Sequence, residues 1–314
     1  MNILVTGSCG YVGSSLVPHL LKKGHVIYSY DIEWFGNDLN NHPNLNHYKK
    51  DIRDIDHSDF EGIERVVHLA NIANDPGVEL NETLSWEVNV LSTQRLAEKA
   101  SQSNVKQFIY ASSGSVYGVK EEEKVTEDLE LVPISAYNKT KMVAERVLLS
   151  YQNTMQVINV RPATVCGLSP RMRLDVSVNL LTHQALCEGE INVFGGDQIR
   201  PNIHIKDMVR VYEHFLNNMD DISSGNYNAG FENISIMDIA ERVSKKIGAK
   251  INITSSNDPR SYRLNSDKLV STGFKPEFSV ENAIEEISEA FSSGNLSNED
   301  RFYTVKTMKN LNLG

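Results

Sequence analysis

Tyr137 and Lys141 stand four residues apart in Tyr137-Asn138-Lys139-Thr140-Lys141, a spacing that puts a phenol and an ammonium on one face of a helix. A phenol, with an ordinary pKa of about 10, is a poor base at neutral pH, but a neighbouring cation favours its phenolate. Such a pair can take a proton from a substrate hydroxyl. The spacing alone is common on solvated helices, so position must add to it. Upstream, Ala111-Ser112-Ser113-Gly114-Ser115-Val116-Tyr117-Gly118 closes an apolar strand-like run. The carboxyl ends of strands in an open parallel sheet form the ligand crevice, so a serine there can approach Tyr137.

A second group suits an anion. Thr6-Gly7-Ser8-Cys9-Gly10-Tyr11-Val12-Gly13 joins the first strand to the first helix. Glycines in such a turn let a pyrophosphate reach backbone N–H groups at the positive helix end. Asp31 follows Gly13 by 18 residues, at the end of the second strand, where a carboxylate can accept from adenosine ribose hydroxyls. A carboxylate there also repels a 2′-phosphate, which favours NAD over NADP. Taken singly, the turn reads equally as a plain tight turn, and Asp31 as a turn former.

These groups need strands and helices to hold them, and the sequence alternates the two. Strands are expected at Ile3 to Thr6, Val26 to Tyr30, Val66 to Ala70, Phe108 to Ser112 and Val157 to Val160; helices are expected at Tyr11 to Lys23, Thr83 to Ser101 and Ala136 to Tyr151. Pro18 should kink the first helix. The rhythm predicts an α/β fold: a Rossmann-type doubly wound parallel sheet with a smaller C-terminal substrate-binding lobe. Residues 1–165 form the dinucleotide-binding domain, with 203–228 returning to it. Residues 166–290 form the lobe, which includes helices at Val176 to Glu188 and Ile236 to Ile247, and 291–314 form a tail.

Composition narrows the partners. A formal charge of -10 over 314 residues repels nucleic acid, yet a few arginines in one cleft can still hold a small anion. Three cysteines, Cys9, Cys166 and Cys187, without CxxC or Cys/His spacing, argue against disulfides and structural zinc and for a cytoplasmic setting. No apolar run of about 18 residues suggests a membrane span.

In order along the chain, the glycine turn, the Ser-rich strand end and YxxxK resemble the extended short-chain dehydrogenase/reductase superfamily, in particular the NAD-dependent nucleotide-sugar epimerase/dehydratase family. The match runs from Asn2 to about Ile287. The resemblance implies NAD as cofactor and a nucleotide-diphosphate sugar as substrate. It makes Tyr137 the acid/base, Ser113 the hydroxyl bonded to the reacting sugar oxygen, and Lys141 the residue that lowers the phenol pKa and holds the nicotinamide ribose. It places Gly7, Gly10, Tyr11, Val12, Gly13, Asp31, Asp51, Ile52, Leu69, Ala70, Asn71 and Asn89 around the cofactor. Asn71 departs from the family's usual alanine.

Around the substrate the resemblance places Ser115, Thr164, Asn179, Arg200 in Gln198-Ile199-Arg200-Pro201, and Arg260. Ser113-Gly114-Ser115 replaces the Thr-Asp-Glu of sugar 4,6-dehydratases, which removes the acid/base pair for water elimination. Thr164 replaces an Asn of galactose-type 4-epimerases. Hydride transfer at the sugar C4 is implied, with epimerase, dehydrogenase and 4-keto reductase outcomes all open, beside a non-catalytic NAD-binding protein. A homodimer is implied through the Thr83 to Ser101 helix and the helix bearing Tyr137.

Overall fold

The computed structural model describes residues 1–256 and 261–313. β1 (Asn2–Thr6) turns at Gly7, φ +71°, toward α1 (Gly13–Lys22), followed by β2 (Val26–Asp31), β3 (Leu45–Lys49) and β4 (Arg65–His68). Next come α2 (Asp75–Leu80), α3 (Glu82–Trp86), a π-helical turn at Glu87–Leu91 and α4 (Ser92–Gln102). β5 (Gln107–Ala111), α5 (Ala136–Leu149) and β6 (Gln156–Pro162) complete the first half. The second half runs β7 (Thr164–Cys166), α6 (Ser177–Glu188), β8 (Glu190–Phe194), β9 (Ile199–His204), α7 (Ile205–Asn217), β10 (Gly225–Ala229) and β11 (Glu232–Ser235). It ends with α8 (Ile236–Ile247), β12 (Lys250–Thr254), α9 (Asp267–Ser271), α10 (Val280–Ser292) and α11 (Thr304–Asn310).

Seven parallel strands form one sheet in the order β10-β6-β5-β4-β1-β2-β3. This is the doubly wound arrangement, and its strand order reverses between β1 and β4, where a crevice opens. Strand alternation sends Ile3 and Val5 to one face, onto Leu16, Val17 and Leu20 of α1 and Phe215 of α7, and Leu4 to the other, beside Leu96 of α4 and Leu148 of α5. Each fully buried aliphatic side chain contributes about 1.5–3 kcal/mol, so both faces of β1 are strongly anchored. A three-stranded sheet, β11-β9-β7, and the pair β12-β8 build the second lobe around α6, α8 and α10. Between residues 203 and 228, α7 packs on the face of α1, and β10 pairs with β6 at the main sheet's edge.

Several elements differ from expectation. β3, Leu-Asn-His-Tyr-Lys, was not anticipated, because an edge strand is held by backbone pairing to β2 and needs no apolar alternation. β4 stops at His68, freeing Leu69 to Asn71 to line the cleft. The Thr83 to Ser101 helix is interrupted by the π-turn, and α1 runs through Pro18 unbroken, which nothing in the structure explains. The C-terminal segment is no free tail: Leu174 N–H donates to Phe302 O (2.9 Å), and Met308 is buried beside α2.

Candidate active site

Three local devices bring the candidate catalytic residues Ser113, Tyr137 and Lys141 together. Ser113 caps the short 3-10 turn Gly114–Tyr117 after β5, its Oγ accepting from Ser115 N–H at 3.2 Å. Ser135 caps α5 and so fixes the first turn, from which Tyr137 projects. Lys141, one turn on, is buried and donates to Ala111 O at 2.6 Å, with its Nζ 5.7 Å from the centre of the Tyr137 ring and 4.8 Å from that of Tyr110.

The Ser113 hydroxyl faces the Tyr137 phenol closely enough to favour its phenolate. Burial pushes that phenol up to about 12, against which the Ser113 hydroxyl and the nearby Arg173 pull it back. Burial pushes the Lys141 ammonium down to about 7, with Glu145 opposing. Each charged form alone is disfavoured by desolvation, so phenolate and ammonium are stable together rather than separately. Lys141 lies beside the Tyr137 ring, where an ammonium favours phenolate.

A cleft of about 530 Å³ runs from Ser113, Ser115 and Tyr137 along Gly7, Gly10, Tyr11, Val12 and Gly13. A side recess holds Asp31, Asp51, Ile52, Leu69, Ala70 and Asn71. Gly7 and Gly13 are required by packing, since an added Cβ would meet Ala70 N at 2.5 Å or Gly7 O at 2.2 Å. Gly10 is different: an added Cβ meets only Gly7 O, at 3.2 Å, and otherwise enters the open cleft. Those residues fit a dinucleotide whose pyrophosphate rests on the first turn of α1.

Asp31 accepts from Cys9 N–H (2.9 Å) and Glu33 N–H (2.7 Å), which fixes its carboxylate at the mouth of the recess, while burial pushes its pKa up. Asp51 is held by Arg53 Nη2 at 2.7 Å. Cys9, Glu33 and His47 come within 4.8 Å of one another, but His47 is engaged between Ser29 Oγ (2.8 Å) and Glu33 Oε1 (2.9 Å). Burial also holds the Cys9 thiol up at about 12, far from the thiolate that a metal prefers.

Thr164 and Arg200 line the cleft on the second lobe's side, whereas Arg260 lies outside the described residues. Asn89 and Asn179 do not line it. Asn89, in the π-turn, accepts from Ile72 N–H (2.8 Å) and donates to Ile72 O and Thr140 Oγ1, tying the loop after β4 to α5. Asn179 accepts from Gly167 N–H and donates to Arg173 O and to the Tyr11 hydroxyl, locking the second lobe onto the glycine turn. Both amides thus tie backbone segments around the cleft together.

Sequence reasoning missed Arg171 and Arg173, in the loop between β7 and α6. Arg173 Nε donates to Asp175 Oδ1 at 2.8 Å, and its Nη2 is buried without a partner. Asp175 in turn accepts from Thr304 N–H, bringing the C-terminal segment to the cleft. The only signal was two arginines two residues apart inside a stretch that otherwise reads as loop. Trp34 and Phe35, also in the cleft wall, had no signal at all.

A parallel sheet with this strand order, a glycine turn at its switch point and a Ser/Tyr/Lys trio define a dinucleotide-dependent short-chain dehydrogenase/reductase. The sequence profile described as the NAD dependent epimerase/dehydratase family matches residues 3–230, and the chain belongs to that family, whose cofactor is NAD. Among relatives, it is 31% identical over 273 residues to an uncharacterized UDP-glucose epimerase, YtcB, of Bacillus subtilis (strain 168), covering 80% of this chain and 83% of the other. Among solved structures, it is similar to UDP-glucose 4-epimerase of Thermotoga maritima with UDP-glucose, at a TM-score of 0.85 and 25% identity, covering 94% of this chain and 100% of that one. It is also similar to UDP-glucuronic acid 4-epimerase of Bacillus cereus with UDP-glucuronic acid and NAD, at a TM-score of 0.82 and 27% identity, covering 93% and 99%. Among the described residues, no helix is long and apolar enough to cross a membrane.

Proposed function

We propose that the chain oxidises C4 of a nucleotide-diphosphate sugar and returns the hydride to the opposite face of the ring, a 4-epimerisation. The observation that carries this is the meeting of Ser113 and Tyr137 in one cleft beside a buried Lys141. Bound NAD supplies the hydride acceptor and then the donor. Tyr137, as phenolate, takes the proton of the C4 hydroxyl while the C4–H bond gives up its hydride. Ser113 orients that hydroxyl, and Lys141 compensates the phenolate charge. For return, the keto sugar presents its other face and Tyr137 gives the proton back. Arg200 and Thr164 supply polar contacts on the substrate side, and Arg260 is assigned there by its motif.

Dehydration finds no support at Gly114, where an added Cβ would lie 2.7 Å from Leu264 Cδ1 and 3.1 Å from Pro162 O. Ser113, Gly114 and Ser115 offer no acidic side chain to eliminate water. Several relatives and solved structures that match this chain along most of its length carry epimerase names, which supports epimerisation over release of the keto sugar, while two dehydratases share the fold.

The test is incubation of the NAD-bound protein with a panel of nucleotide sugars, with chromatography of the sugar and absorbance of reduced cofactor. A new isomer without net NADH is expected, together with loss of turnover by roughly a hundredfold or more in Tyr137→Phe. Stoichiometric NADH with a keto product would replace epimerisation by dehydrogenation. Unchanged function in Tyr137→Phe would leave a non-catalytic NAD-binding protein.

A further inference from the structure

Arg171 belongs by sequence to the second lobe but by position to the cofactor's side of the cleft. Its guanidinium carbon lies 4.0 Å from the centre of the Phe35 ring, in the loop after β2. Its backbone N–H donates to Ser14 Oγ on α1 at 3.2 Å. The same loop is pinned by Ser169, whose Oγ donates to Tyr11 O at 2.7 Å and meets the Ser14 and Ser15 hydroxyls at 3.0 and 2.8 Å. The second lobe is therefore folded over the N-terminal turn of α1, with Arg171 in the cleft wall beside Gly10 and Gly13.

This guanidinium makes no direct ion pair among the described residues. The residue is 3% exposed, its Nε is buried without a hydrogen-bond partner, and no carboxylate pairs with it among the described residues. Asp175 is engaged by Arg173 and by Thr304 N–H, and Asp31 by two backbone N–H groups. A buried guanidinium is costly unless an anion completes it, and burial together with the neighbouring Arg173 charge pulls its pKa down to about 9 against the more distant Asp175 and Asp31. The first turn of α1, onto which the Arg171 backbone is bonded, lines the same cleft with its positive end, so both features favour an anionic, planar-fork acceptor.

We propose that Arg171 is a cofactor-binding residue, which brings from the second lobe the cation that meets the NAD pyrophosphate resting on the first turn of α1. A diphosphate is the chemistry both features share, and the cleft has to take two: the cofactor's and that of the sugar nucleotide. Contact with Phe35 and Ser14, both on the β1–β2 side, assigns Arg171 to the first. NAD is thereby held between the two lobes, and its departure requires the loop carrying Arg171 to lift. This inference needs NAD dependence only, whatever sugar chemistry follows.

The experiment compares Arg171→Gln and Arg171→Lys with the parent protein, each exchanged free of bound nucleotide, by calorimetric titration with NAD and with adenosine, and with UDP once NAD is saturating. Expected is at least a tenfold loss of NAD affinity in Arg171→Gln, a smaller loss in Arg171→Lys because charge survives without the fork, and changes within twofold for adenosine and UDP. Unchanged NAD affinity with weakened UDP would move Arg171 to the substrate's diphosphate and overturn the assignment. Equal losses for NAD and adenosine would show a reshaped pocket, and overturn it too. Should Arg171→Gln fail to fold, Arg171→Lys decides: NAD binding equal to the parent's refutes the contact.

Discussion

Glu145 and Arg161 form a bidentate ion pair beneath the active site, Oε1 to Nε at 2.9 Å and Oε2 to Nη2 at 2.7 Å, with each side chain 2% exposed. Glu145 also accepts from Ser112 Oγ, and Arg161 Nη1 donates to the Tyr117 hydroxyl at 2.7 Å. The pair thus welds α5, which carries Tyr137 and Lys141, to the strand ends that carry Ser113 and Thr164. Removing one partner strands a buried charge, so Glu145→Gln or Arg161→Met should each lower stability by about 3–5 kcal/mol in urea unfolding. The double replacement Glu145→Leu with Arg161→Met should recover much of that, because neither charge then remains. A pair that contributed only surface electrostatics would show losses under about 1 kcal/mol.

The glycines of the turn separate folding from ligand binding. Gly13→Ala drives a Cβ into Gly7 O and Ser8, so it should reduce Tm and soluble yield. Gly10→Ala has only one tight contact and should melt within a few degrees of the parent, yet bind NAD at least roughly tenfold more weakly because its methyl enters the pyrophosphate cradle. Parallel thermal melts and NAD titrations of the two variants check this contrast.

Ser113 bears on the pH profile. Its hydroxyl pulls the Tyr137 pKa down from where burial alone would hold it. Oxidation needs phenolate, so the rate rises with pH toward that pKa. Ser113→Ala should cost roughly 10- to 100-fold in kcat and move the rising limb to higher pH. A loss of rate with the limb unmoved would assign Ser113 to sugar contact alone.

His68 makes acid the fold's weak side. Thr93 gives its hydroxyl proton to Asn89 O, so it accepts from His68 Nε2–H at 2.9 Å, leaving Nδ1 to accept from Thr6 at 2.6 Å. The ring is thus held neutral, and burial pushes its pKa down to about 3 from an ordinary value of about 6.5. Between those values the unfolded chain binds the extra proton, so stability is full above the ordinary value and is lost as pH falls toward the folded one. The loss is on the order of 4 kcal/mol. Urea midpoints from pH 7 to pH 4 should fall steeply, and more shallowly in His68→Gln.

A homodimer through α4 and α5 is the assembly we expect, with Leu91, 52% exposed where the π-turn meets α4, inside the contact. Sedimentation equilibrium should give twice the chain mass, and Leu91→Asp should shift it toward the monomer.

What the sequence settled by itself was local. A glycine turn after a β-branched run, an acid at the end of the next strand, and a phenol and ammonium one helical turn apart are fixed by backbone geometry over a few residues, so their chemistry could be read and their order along the chain implied the sheet. The tertiary structure decided whatever depends on partners distant in the chain. It gave Asn89 and Asn179 a bracing role that sequence did not suggest, bonding their amides to Ile72, Thr140, Gly167 and Arg173. It also built β3 from polar residues by pairing alone, and drew the C-terminal segment onto Asp175. It brought Arg171 against Phe35 across 136 positions of sequence, where only packing between two lobes can leave a guanidinium buried without a direct ion pair.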